Sequence, residues 1–524
     1  MFDILFTNAN IITMDPALKR AAWVAVQEGR IAAIGNSDAP VLNSKKTIDL
    51  EGKTMLPGLI DSHAHGTTTG FSLNSSNVIS ATCVDDIISA AKAKCDELDA
   101  KQDEEGWVFV TGMNLFTLKE QRAPTRWELD EVSGKHPVMV IYVTLHGVAA
   151  NTKAIELINV PDDMPGVEVD EKGEKTGSYT SDESSFLAIS RALGKLDDDT
   201  IEKYIRDCAE FAASRGVTTL HSLDGMFVEA DRDFFIWLNI KDSLPIHVVN
   251  YFQSTNVNLA KALKLPRLGG CLTLDGTGFE HTMAIEEPYE DDPTTNGVLY
   301  WSDDEVYQFV SSVHRAGMQC AMHCLGDRAI EQLLSTYERV IKEQGNPKKI
   351  RHRIEHFAMC RPDQIKRAVA LGIVFPMQPI FTWYWDNPNI PGGHTYKDIF
   401  GEERGNAIDP FAEIIKEGGV ICGGSDSAVT EIDPIMGIHA AANAPNPVRR
   451  VSLDEAIKMY TINGAWAAGE ENEKGSIEIG KLADFTVIDR DPYKEQESIK
   501  DFAVEMTVVE GETVYVRPDN AEGR

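Results

Sequence analysis

Nowhere does the sequence hold a CxxC pair, and its eight cysteines are scattered singly along 524 residues. That density excludes a disulfide scaffold and offers no zinc knuckle, so most of the thiols are expected to be reduced and in the core. Basic residues are also scarce: 50 Lys and Arg stand against 82 Asp and Glu, a formal net charge of -32. So acidic a chain repels phosphate backbones and anionic membranes, which excludes nucleic acid and membrane as partners. Missing as well is any apolar run near the ~18 residues of a membrane span. The N-terminal "MFDILFTNANIITMD" lacks the basic start and continuous apolar core of a secretion signal, and a cytoplasmic location is expected.

What is present suits a folded chain, with 43% hydrophobic and 25% charged residues. The first fifty residues alternate apolar and polar in "DILFTNANIITM", "AWVAVQEGRIAAIG" and "KTIDLEGKTML", and read as antiparallel strands. From Leu56 the rhythm becomes helix followed by strand. "TIEKYIRDCAEFAASRG" leads into "VTTLHSL", "SDDEVYQFVSSVHRAG" into "MQCAMHC", "RPDQIKRAVALG" into "IVFPMQP", and "DPFAEIIKEGG" into "VICGGSD". Such repetition predicts a parallel sheet closed into a (β/α)8 TIM-like barrel. Alternation returns after Gly475, so the expected α/β architecture is a barrel over 56-475 inserted into a composite β-sandwich made of 1-55 plus 476-524. Residues 101-196 fit the barrel rhythm poorly and read as an insertion near its mouth.

Chemistry in such a barrel sits at the C-terminal strand ends. "LPGLIDSHAHG" ends the first barrel strand with His63 and His65, which as i and i+2 on a strand share a face and can aim at one ion. His323, His356 and Asp426 each form the polar terminus of a later apolar strand. A single strand-end histidine is as readily a hydrogen-bonded core residue. Five such residues on four strand ends point instead to one metal site.

Five motifs occur in order: "LPGLIDSHAHG", "HCLGDRAI", "RIEHF", "GGSDSAV" followed by Asp-Pro, and "GSIEIGKLADFTVIDRDP". They resemble the amidohydrolase superfamily, in particular its branch containing N-substituted formamide deformylases, over nearly the whole chain. The resemblance implies a metal-dependent hydrolase of non-peptide carbon-nitrogen bonds, in linear or cyclic amides, acting through metal-bound hydroxide on a small-molecule substrate. By matching position, His63, His65, His323 and His356 would bind zinc or a similar divalent ion, and Asp426 would both contact the metal and act as general base. Many relatives carry a carboxylated lysine on the fourth strand that bridges two metals. Here that stretch is "GGCLTLDGTG", with Cys271 at roughly the expected place and Lys264 in the preceding turn. Either one metal suffices or the Cys271 thiolate contributes, so one or two ions per chain are expected.

His146, in "YVTLHGVAANTKA", stands where this branch has a histidine near the substrate, and could donate to a polarised carbonyl. His221 and His281 are weaker candidates for the cavity. Arg328 is expected to anchor Asp327 and the helix that follows, and the aromatics of "FTWYWDNPNIPGGHTY" to wall the pocket. Ring deamination, or ester or lactone hydrolysis, would use the same attack. A silent binding or regulatory protein of the same fold would be expected to have lost a ligand or Asp426. Further copies of the chain, as a homo-oligomer, are the remaining class of partner.

Overall fold

The computed structural model describes residues 1–36, 43–103, 106–347, 349–386 and 395–518. Eight parallel strands follow one another around a barrel in chain order. They are β1 (Leu59–Ala64), β2 (Val217–Asp224), β3 (His247–Phe252), β4 (Arg267–Leu268), β5 (Gln319–Cys324), β6 (Arg353–His356), β7 (Val374–Met377) and β8 (Val420–Gly423). Seven of the eight neighbour pairs are ladders, whereas β8 meets β1 only at the C-terminal end. There the Asp426 N–H donates to the His63 carbonyl at 2.7 Å and the His65 N–H to the Ser427 carbonyl at 2.7 Å.

Helices between the strands pack their apolar faces on the barrel. In Asp303–Ala316, Ser302 and Glu305 form a reciprocal cap, the first turn is acidic, and Gly317 ends the helix at φ 77°, a conformation glycine adopts without strain. Its Val306, Val310 and Val313 bury themselves against Ile330, Leu333 and Leu334 of the helix Asp327–Gln344. Each such side chain contributes about 1.5–3 kcal/mol by leaving water.

Two further sheets form the composite sandwich. One holds Phe2–Thr7, Trp23–Gln27, Arg30–Gly35 and Ser44–Asp49. The other joins both ends of the chain, pairing Phe485–Ile488 antiparallel with Thr54–Pro57, and Phe6, Val24, Met55, Phe485 and Val508 meet in its core. The antiparallel expectation holds for Phe2–Thr7 against Trp23–Gln27 but not against Ser44–Asp49, which runs parallel to it. Alternation along a strand reports its two faces and carries no information about neighbour direction. A fourth sheet, between β1 and β2, spans Ser76–Asn77 to Lys175–Tyr179 in sequence. Among the described residues no helix is long and apolar enough to cross a membrane.

Candidate active site

The mouth of the barrel brings His63, His65, Cys271, His356 and Asp426 together, all buried. They form two groups that share His63: one with His65 and Asp426, the other with Cys271 and His356. His63 Nε2 and His65 Nε2 lie 3.1 and 3.2 Å from Asp426 Oδ1. Cys271 Sγ lies 3.6 Å from His323 Nδ1 and 3.7 Å from His356 Nε2. His323 thus stands beside the thiol; its Nε2 faces the Gly276 carbonyl at 3.4 Å.

The far side of each ring explains the near side. Nδ1 of His63 is 2.7 Å from Glu355, Nδ1 of His65 is 2.8 Å from the Leu223 carbonyl, and Nδ1 of His356 is 2.8 Å from Gln378 Oε1. All three partners present oxygen acceptors, so each Nδ1 carries the hydrogen and each Nε2 turns a lone pair inward. A lone pair 3.2 Å from a carboxylate oxygen requires a positive charge, either a proton on the ring or a cation between them. His63 Nε2 is close to Asp426 but off the line of a hydrogen bond, and is a buried nitrogen without a hydrogen-bond partner. This donor set of imidazole nitrogens, carboxylate and thiol fits a zinc-like divalent ion.

Electrostatics agree. Burial alone would raise the Asp426 carboxyl, but the imidazoles of His63, His65 and His356 around it hold it well below its ordinary value. Burial likewise opposes ionisation of Cys271, and His63, His323 and His356 outweigh it, so the thiol is pulled well down. Behind His63, Glu355 is gripped by Arg353 at 2.6 and 2.7 Å, and Arg353 also reaches the Ser62 carbonyl at 2.9 Å. Backbone strain collects here: His356, Phe357 and Asp426 have φ of 69°, 49° and 55°, at a cost of about 1–3 kcal/mol for each non-glycine residue in that region.

Above the cluster a cavity holds about 810 Å³ of empty space, including its open mouth. Phe186 and Phe227 line it, as do Phe279, Phe381, Trp385 and Tyr396. The last three belong to the aromatic-rich segment, of which 387–394 lie outside the described residues. His146 lines the cavity too, its Nδ1 2.6 Å from Asp182; burial opposes its charge, but Asp182 pushes it up to about 9.

Other expectations fare differently. His221 is buried beneath the cluster, its Nδ1 accepting from Arg353 at 3.2 Å, and it does not line the cavity. His281 pairs with Asp291 at 3.0 Å near the surface. Arg328 donates to the Asn296 carbonyl at 3.3 Å rather than to Asp327, which instead accepts the Glu286 N–H at 2.8 Å. Lys264 is exposed in its turn. Glu355, Gln378 and Asp182 were missed by the sequence reading. Only Glu355 left a signal, as half of a charged pair inside the strand "RIEH".

A parallel barrel with this donor set at its C-terminal mouth carries its candidate metal site where barrel enzymes place their chemistry. The chain belongs to the amidohydrolase family, which it matches over residues 46–515. It is 27% identical to the N-substituted formamide deformylase of Arthrobacter pascens, over 99% of each chain. To the putative amidohydrolase YtcJ of Bacillus subtilis strain 168 it is also 27% identical, over 96% of this chain and 98% of that one. The crystal structure of an uncharacterized metal-dependent hydrolase from Pyrococcus furiosus matches at a TM-score of 0.73 and 25% identity, covering 93% of this chain and 99% of the other.

Proposed function

We propose that the chain cleaves a carbon-nitrogen bond other than a peptide bond, in a linear or cyclic amide, with Asp426 as general base and His146 as donor to the carbonyl oxygen. The observation that carries this reading is the convergence of three inward Nε2 atoms on Asp426 and Cys271 at the floor of an apolar cavity. His63, His65 and Asp426 would hold one divalent ion, zinc in the first instance. His63 offers one lone pair, so a second ion would rest on Cys271 and His356, with His323 alongside. When bound, such an ion supplies Lewis acidity that polarises a carbonyl and makes water acidic near neutral pH.

The side chains do the rest. Asp426 accepts the proton of the attacking water and passes it to the departing nitrogen, so that an amide and water become a carboxylic acid and an amine. His146 Nε2–H donates to the oxygen as it gains charge; loss of one such donor typically costs about 3 kcal/mol of barrier lowering. Among the described residues, no Lys or Arg lines the cavity. With nothing there to clamp a carboxylate, the site favours uncharged substrates carrying an apolar group.

Elemental analysis of the purified protein and a panel of N-substituted formamides, longer acyl-amines and cyclic imides test this reading. The expected outcome is one or two metals per chain and release of an amine. Loss of ammonia from a ring, or cleavage of an ester or lactone alone, would move the assignment to those bonds. A folded, metal-loaded protein inert to every amide would sink it.

A further inference from the structure

His146 reaches the cavity on a turn with one strained residue. Residues 143–147 join Val138–Tyr142 to Val148–Ala150, and Leu145 sits at φ 65°, where a bulky residue is held at a cost of about 1–3 kcal/mol. Two carboxylates grip this segment from separate elements. Asp182, the first residue of the helix Asp182–Leu193, accepts from His146 Nδ1 at 2.6 Å. Glu280, in the loop after β4, accepts from Thr144 Oγ1 at 2.8 Å and with its other oxygen from the Thr277 hydroxyl. Thr144 Oγ1 in turn accepts the His146 N–H at 3.3 Å. Thr144, His146 and Thr277 all line the cavity, while Glu280 and Asp182 stand behind them.

We propose that Asp182 and Glu280 are positioning residues for His146: Asp182 fixes the ring and Glu280 fixes the segment that carries it. The proposal rests on His146 acting on the substrate carbonyl as described above. An ionised carboxylate can only accept, so Asp182 holds one hydrogen on Nδ1 and stabilises the imidazolium, whose other N–H, on Nε2, makes no hydrogen bond to a described residue and is left to the cavity. Asp182 lies in the first turn of its helix, whose N–H groups favour negative charge. Its second oxygen is buried without a hydrogen bond, so His146 is the one hydrogen-bond partner of this carboxylate among the described residues. Phe186 of the same helix lies 5.3 Å from the His146 ring, which limits the ring from that side.

The test is a double-mutant cycle on the best amide of the panel, using the full-length metal-loaded protein. Asp182→Asn is expected to lower kcat by about 10–100-fold with KM nearly unchanged, and to add no further loss in a His146→Ala background. Glu280→Gln is expected to lower kcat by about threefold, again only when His146 is present. A proton NMR spectrum should show a hydrogen-bonded imidazole N–H that is lost in His146→Ala and shifted in Asp182→Asn. Equal losses from Asp182→Asn in both backgrounds, or an unshifted resonance, would overturn the positioning role while leaving the proposed reaction standing. Full turnover by His146→Ala would instead remove His146 from the reaction itself. Should Asp182→Asn not fold, Thr144→Val tests the Glu280 arm by the same cycle, with a loss that persists without His146 counting against the proposal.

Discussion

Histidines are buried at both ends of the barrel, and they are buried differently. At the N-terminal end His314 and His352 form a pair in which every ring nitrogen is satisfied. His314 Nε2 donates to the Gly345 carbonyl at 2.7 Å, His352 Nε2 donates to His314 Nδ1 at 2.9 Å, and His352 Nδ1 accepts the Cys320 N–H at 3.0 Å. The arrangement is closed. At the C-terminal end His63, His65 and His356 are satisfied only from behind, and their inner nitrogens face a carboxylate and a thiol. Burial of a histidine is therefore uninformative by itself. A nitrogen whose lone pair the fold leaves without a donor separates a site from a strut.

Changes at the two ends should accordingly fail in different ways. Asp426→Asn is expected to lower kcat by about 10³-fold while circular dichroism shows the fold intact. Wild-type turnover by this variant would contradict its role as base. Glu355→Gln, which removes the charge behind His63, should weaken metal binding by about 10–100-fold in a chelator titration. At the closed end, His352→Phe should leave metal content and kcat alone but lower the unfolding free energy by about 1–3 kcal/mol, because the Cys320 N–H and His314 Nδ1 lose their partner.

Over any one pH unit, the smallest effect is one of pH. Burial pushes His352 down to about 3, so the folded state holds this ring neutral where the unfolded chain protonates it near 6.5. The stabilisation it contributes is complete above pH 6.5 and fades by about 1.4 kcal/mol per pH unit as pH falls toward 3. Melting temperatures measured across this window should fall more steeply for the wild type than for His352→Phe. Parallel slopes would show that other groups govern the acid limb.

The sequence carried the barrel because each helix-to-strand unit is locally complete, with periodicity, cap and terminal glycine lying within some twenty residues. It carried His63 and His65 because two residues apart on one strand settles a shared face. Cys271 stood out by substitution for an expected lysine, and the structure sets its sulfur against His323 and His356. His221 and His281 looked equivalent to the others in sequence, since nothing local says how far along a strand or loop the barrel axis lies. Glu355 lies beside His356, yet it serves His63, on the far side of the β8 to β1 seam.

What the sequence determined by itself is the kind of fold and the inventory of donor atoms, because both follow from residue type and short-range spacing. What only the tertiary structure decided is which ring lone pairs are left without a donor, and which carboxylates stand behind His63 and His146. His146 meets Asp182 across 36 positions, whereas His63 meets Glu355 and Asp426 across hundreds. The contact of His63 with Asp426 exists only once barrel closure brings β1 against the end of β8.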